Sequence, residues 1–402
     1  MLTVPEDSTD LAYKNKLKES SPDIIRVDFN DKLEIFSYKK CDNDSPELIK
    51  NCRSTIFAGD KVISQGFKFT PEFTTDTDIG MYIQNLSKCS FYRAYEGFLI
   101  RIFNHDDVWY ITTNKRLNAY KSYWSSSESF GTLFTNALVA GIGFDPELID
   151  RLSDPGDITQ NFLKCLLPNT QYMFLISNNS ENRIVCDAPP VPIMYHISSI
   201  CNTKTLPNSS TDFSYIYERQ QDLPENYIGI PRPEQLFFNS MNELYNCVFN
   251  TDIRKYQGVL VKSTEKKQYK ILNPLYKKMS DIRGNEASLN FRYLQLRKDF
   301  RQDITLFKKM YPSMIEKIKT VEIKIADLCC YLHTLYTNKY IKKIVDPKRL
   351  SPEQYNIIKK CHACYLETRQ YINKPKVFEI LNNLNPSHLN KLLKNFSHVD
   401  YV

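Results

Sequence analysis

The feature that most limits how this chain can fold is a change of period at Gly284. Beyond it, Met314, Ile318, Val321, Ile325, Leu328, Leu332 and Leu335 recur at a 4-3-4-3-4-3 spacing. That spacing lays all of them on one stripe of a single helix. Ser313 with Glu316 forms a capping-box pair at its start, and Ser351-Pro352-Glu353 and Asn385-Pro386-Ser387 signal two further helices. The repeat lasts only about three heptads, so a helix inside a small bundle explains it better than a coiled coil.

Before Gly284 the apolar residues come in short runs: KLEIFSY, CRSTIFA, KVISQGFKF, QYMFLIS, NRIVC, YQGVLVKS and QYKIL. Two more, Phe98 to Phe103 and Val108 to Thr113, flank a polar turn at Asn104-His105-Asp106-Asp107 and predict a hairpin. Strands mixed with helices in this irregular order predict an α+β domain with antiparallel sheets over 25–285, followed by an all-helical domain over 286–402. Residues 1–24 are polar and read as a loosely held arm. The stretch from Cys201 to Pro233 is rich in Asn, Ser, Thr and Pro and reads as a long surface excursion.

Charge separates the same two regions. The whole chain carries +7; residues 286–402 carry +10 and the first 285 residues carry −3. The basic excess lies entirely in the helical part, where it suits either phosphate contacts or a solvated surface. No apolar run reaches the roughly 18 residues that cross a membrane. The first residues also lack the apolar core of a signal peptide. The expectation is therefore a cytoplasmic protein with no membrane partner, in a host cytoplasm or virion if the source is viral. Abundant Lys, Asn, Ile and Tyr beside only 11 Gly fit an A/T-rich coding genome such as some large viruses carry.

The cysteines number 11, are irregularly spread, and read as reduced thiols. Cys330 with His333, and Cys361 with Cys364, each stand at i, i+3 and would supply four zinc ligands if their helices packed side by side. Small buried cysteines on helix faces explain the pattern more simply.

Function is carried by an ordered set of short segments: Arg53 in CRSTIF, Lys68-Phe69 in ISQGFKF, Ala94-Tyr95-Glu96-Gly97, then Ser180-Glu181-Asn182-Arg183-Ile184-Val185, Gln257-Gly258-Val259 and Tyr269-Lys270-Ile271. None is specific alone. In this order and spacing, over about 45–285, they resemble the motif series of the phage T4 type of RNA ligase, a family of the covalent nucleotidyltransferase superfamily. The resemblance implies a ligase-type nucleotidyltransferase core, ATP and magnesium as cofactors of an active member, and RNA as partner. In that chemistry a lysine amine attacks the α-phosphate of ATP, pyrophosphate leaves, and the lysyl-AMP passes its nucleotide to an RNA 5′-phosphate. Divalent metal, lysines and carboxylates manage the phosphate charge.

Carried over residue by residue, the resemblance puts the nucleophilic lysine at Ala94 and the following acid and glycine at Glu96 and Gly97. It puts a catalytic glutamate at Leu175, the metal-associated glutamate at Gln257, and the two lysines of the last strand at Lys270 and Leu272. Arg53 and Lys68 keep their types, although the glycine after the arginine has become Ser54. A methyl group cannot take a phosphoryl group, and glutamine or leucine does not replace a carboxylate at a divalent cation. As substitute amines, Arg93 stays protonated and Lys88 lies six residues upstream. The expectation is a catalytically inactive ligase scaffold that keeps a cradle of Arg53, Lys68, Glu96, Gly97 and Lys270 for nucleotide or RNA phosphates, with further RNA affinity in the basic helical domain. The alternatives are an active ATP-dependent RNA ligase with a relocated nucleophile, and a purely structural protein-interaction module.

Overall fold

The computed structural model describes residues 6–20, 22–74, 79–80, 82–83, 85–141, 155–178, 183–201, 230–264, 267–345 and 350–396. The chain divides into two compact units, 1–277 and 278–402. The division falls inside the helix Pro274–Arg283 rather than after Gly284. The first unit is mixed α+β with largely antiparallel sheets, and the second is helical throughout its described residues.

Among the described residues, three sheets build the first unit. Strands β1 (Ile24–Phe29), β2 (Leu33–Tyr38), β3 (Thr55–Ala58) and β4 (Lys61–Ser64) form an antiparallel meander in that order. The described residues within 1–24 correct the expectation of a loose arm. Glu6–Glu19 is a helix whose Leu17 is fully buried beside Ile24, Phe36, Cys52, Phe57 and Val62. Its Lys14 reaches the Gly59 carbonyl at 2.6 Å and pairs with Glu34. The polar composition misled because Leu17, Tyr13 against Phe57 and one buried ion pair suffice to hold a short helix on a sheet.

The second sheet has β5 (Glu72–Phe73), β6 (Cys89–Ala94), β11 (Gln235–Leu236), β12 (Gly258–Ser263) and β13 (Gln268–Leu272) in the order β11-β6-β12-β13-β5. Among its described strands only β13 with β5 is parallel. The third runs β10-β9-β7-β8, from β7 (Phe98–His105), β8 (Val108–Thr112), β9 (Thr170–Ser177) and β10 (Ile193–Cys201). The β7–β8 hairpin is tighter than expected. His105 still pairs with Val108, so only Asp106 and Asp107 turn, at φ 51° and 59°. Both are left-handed, the geometry of a two-residue turn that matches strand twist.

Two expectations fail locally. NRIVC is not a strand in its described residues: Ile184, Val185 and Cys186 form a bend whose N–H groups point at Glu96. The expected excursion from Cys201 to Pro233 lies mostly outside the described residues; Cys201 itself closes β10.

In the second unit the heptad stripe is one helix, Met314–Tyr336, extended by a π turn over Thr337–Ile341. It packs against the helices Leu289–Asp299, Pro352–Thr368 and Lys374–Asn382, which is a bundle rather than a two-stranded coil. Ser351 forms a full capping box with Gln354, and Asn385 caps through the Ser387 N–H. Ser313 makes no side-chain cap, and Glu316 instead pairs with Lys319 at 2.6 Å. No described helix is long and apolar enough to cross a membrane.

Candidate functional site

Strand alternation decides which side chains meet in the first unit. In β6, β12 and β13, Phe91, Val259, Val261, Tyr269 and Ile271 enter a core with Leu244 and Val248. Their neighbours Tyr92, Ala94, Leu260, Lys262, Gln268 and Lys270 therefore face the other way, and they line a cavity of about 500 Å³. The facing sheet contributes Leu99, Leu175 and Ile197, while Ile100, Ile102, Phe174 and Ile176 turn into the opposite core. Arg53, Phe67 and Phe69 reach the cavity from the loops flanking β3 and β4, and Arg93 and Arg232 complete it. The volume lies within the roughly 300–1,000 Å³ of ordinary ligand sites.

The fold brings Arg53, Ala94, Gly97, Leu175, Gln257 and Lys270 together on this wall. Ala94 stands opposite Gly258 in the β6–β12 ladder, and Leu99 stands opposite Leu175 in the β7–β9 ladder. Gly97 is required by close approach, since a Cβ there would collide with the carbonyl oxygen of Ile176. Ser54 keeps the left-handed backbone that a glycine would favour, at φ 63°, although it carries a side chain.

Three expected residues lie elsewhere. Lys68 is exposed and absent from the wall, while Phe67 and Phe69 on either side of it point in. Leu272 is buried opposite Gly258. Glu96 is 8% exposed, and its carboxylate is fully engaged in the fold. It accepts from the backbone N–H groups of Ile184, Val185 (2.9 Å) and Cys186 (3.0 Å) and from the Tyr276 hydroxyl (3.0 Å). It ties the 184–186 bend to Tyr276 at the start of the Pro274–Arg283 helix.

The wall is strongly positive. Among the described residues, Arg53, Arg93, Arg232, Lys262 and Lys270 line it against the single carboxylate of Glu72. Glu72 lies 3.7 Å from the Lys270 amine, and Arg93 is tied to Glu234 at 3.1 Å. Burial pushes the Lys270 amine down, helped by repulsion from Arg53 and opposed by Glu72. Burial also pushes Lys262 down, to about 8, with its amine 5.0 Å from the centre of the Tyr92 ring. Crowding cations against each other in a partly desolvated wall disfavours the charged forms, and an anion placed there reverses that. Lys262 was legible only through alternation: it follows Leu260 by two on the same face of β12.

The fit to a divalent metal is poor. Such ions take oxygen ligands, chiefly carboxylates. Gln257 offers a neutral amide, Leu175 and Leu272 offer nothing, and Glu72 is engaged with Lys270. In the helical unit, Cys330, His333, Cys361 and Cys364 are not gathered into a zinc site. Among the described residues no group of three or more His, Cys, Asp or Glu is placed to hold a metal. His333 Nε2 lies 3.2 Å from the Ile372 carbonyl oxygen, and Cys361 is buried in the bundle.

Comparison with solved structures returns ATP-dependent ligases. A putative ATP-dependent DNA ligase from Aquifex aeolicus is 14% identical, with a TM-score of 0.39, over 96% of this chain and 88% of that one. An archaeal ATP-dependent RNA ligase is 14% identical, with a TM-score of 0.40, over 77% and 79%. Among curated proteins, an immediate-early protein ICP-46 homolog of Invertebrate iridescent virus 6 is 28% identical over 98% of this chain and 87% of its own length. No family model matches the chain.

Proposed function

We propose that this chain is an RNA-ligase-like protein whose pocket holds a nucleotide without covalent attachment, and whose basic helical unit adds affinity for RNA. The observation that carries this reading is the composition of one wall: cations at Arg53, Lys262 and Lys270 around a methyl group at Ala94. A cavity with aromatic and apolar surfaces from Tyr38, Phe67, Phe69 and Tyr92 beside clustered cations suits a base joined to phosphates. Ala94 removes the amine that the ligase resemblance calls for, so the covalent route has no first step there.

The test is equilibrium binding of a fluorescent ATP analogue, with RNA titrated separately against salt. Saturable nucleotide binding that falls about tenfold or more in Arg53→Ala/Lys270→Ala supports the reading. RNA affinity should fall steeply with salt, because phosphate contacts release counterions. A chain with neither affinity is the purely structural interaction module.

A second reading is favoured by Lys262. Its amine lines the same cavity and is held near 8, so a useful fraction is neutral and nucleophilic around neutral pH. In that reading Lys262 Nζ attacks the α-phosphorus of ATP, the bond to the β-phosphate oxygen breaks, pyrophosphate leaves, and the amine proton passes to solvent. An acid-labile AMP adduct on Lys262 identifies it; its absence returns the first reading.

A further inference from the structure

We infer that the pocket binds its nucleotide as the free polyphosphate anion, without a divalent metal ion, and that the Gln257 amide reads the ligand directly. The inference rests on the nucleotide reading of the pocket. Three observations support it.

Charge comes first. A divalent cation arriving at the wall meets Arg53, Lys262 and Lys270 and finds one carboxylate, Glu72, already 3.7 Å from an amine. Five cations, Arg53, Arg93, Arg232, Lys262 and Lys270, line the wall against one carboxylate, so it is short of negative charge. A polyphosphate supplies that charge itself, and more of it when it carries no metal.

Ligand chemistry comes second. Magnesium demands near-octahedral oxygen coordination and is held through carboxylates. Gln257, whose backbone N–H pairs with Ala94, offers a neutral amide oxygen to the cavity and no carboxylate.

The third observation is the state of that amide. Gln257 is 8% exposed, and its backbone is fully used, the N–H donating to Ala94 at 2.8 Å and the carbonyl accepting from Asn273 at 2.9 Å. Its side chain lines the cavity and has no hydrogen-bond partner among the described residues. An amide that faces the cavity with no protein group to satisfy it is available to a ligand. An amide offers one acceptor and two donors. It therefore matches a group presenting both kinds of atom, such as a ribose hydroxyl or a base edge, and gives a metal ion little reason to stay.

The experiment is titration of the full chain with ATP by calorimetry, in excess EDTA and again in saturating magnesium. The expected result is an affinity in EDTA equal to or tighter than that with magnesium. In Gln257→Glu, confirmed to be folded by its thermal transition, affinity in EDTA should drop about tenfold and magnesium should restore part of it. A second measurement needs no variant: free tripolyphosphate should displace the fluorescent nucleotide better than its magnesium complex does. Binding of ATP only when magnesium is present overturns this inference and leaves the nucleotide reading intact. No binding of ATP in either condition overturns both. A Gln257→Glu variant that binds as tightly as the parent in EDTA overturns the role given to Gln257.

Discussion

Ala94 and Gly258 face each other across the β6–β12 ladder, and the Gln257 N–H donates to the Ala94 carbonyl at 2.8 Å. Two motif positions 163 residues apart in sequence are thus direct neighbours. Where the ligase resemblance calls for an amine beside a carboxylate, the chain presents a methyl group beside a neutral amide. Cations stand on the adjoining strands at Lys262 and Lys270. The wall thus sets cations beside a position that carries no amine.

The Lys262 amine ties binding to pH. Its folded value of about 8 lies below lysine's ordinary 10.5. Burying the charged form is a penalty on the folded state that is full below pH 8. The penalty is relieved as pH rises from there towards 10.5, so this group makes stability climb across that window. A bound polyphosphate favours the ammonium, so affinity should fall above pH 8, by at most about tenfold per unit from a single proton. Lys262→Arg should flatten that fall, read from nucleotide titrations at fixed salt.

Glu96 is predicted to matter for stability rather than for ligand affinity. In Glu96→Gln the amide NH₂ would have to face N–H donors of the 184–186 bend. The expected loss is about 3 kcal/mol, and Tyr276→Phe, which removes one hydrogen bond to the carboxylate, should lose about 1.5 kcal/mol. Both of the chain's tryptophans, Trp109 and Trp124, lie in the first unit. Their fluorescence during denaturant unfolding reports the unit concerned.

Ser54→Gly should stabilise. Ser54 is left-handed at φ 63°, and its buried hydroxyl has no hydrogen-bond partner. Removing both penalties outweighs the extra chain entropy of glycine by about 1 kcal/mol. The gain is measured by the same unfolding transition.

The N-terminal helix should prove integral to the first unit. Lys14 and Glu34 are mostly buried, with side chains 5% and 20% exposed. Lys14→Ala leaves Glu34 with only the half-exposed Arg26 guanidinium at 3.5 Å and should cost about 2 kcal/mol, again by tryptophan-detected unfolding.

Much of the scaffold was legible because alternation and helical period are direct consequences of burial. The Met314–Tyr336 helix, the hairpin and strands β9, β12 and β13 were all marked by it. Legibility failed where one strand face meets the cavity or a polar interior. In β6 only Phe91 and Ala94 are buried, because Tyr92 serves the pocket. In β10 the buried His196 satisfies Ser199 at 2.8 Å, so a polar-looking run hides an interior strand. The opposite error arose at Ile184-Val185, whose apolar side chains suggest a strand while their N–H groups serve Glu96. The motif order located Arg53, Ala94, Leu175, Gln257 and Lys270 on one wall, but it could not reveal that Lys68 faces solvent and Glu96 faces the fold.

The most direct measurement of the central claim is adenylation. The purified chain is incubated with ATP labelled on its α-phosphate, magnesium or manganese, and pyrophosphatase, then run on a denaturing gel and mapped by peptide. The account predicts no covalent label from a protein that binds ATP reversibly under the same conditions. A labelled lysine, at Lys262 or elsewhere, would contradict it and name the nucleophile.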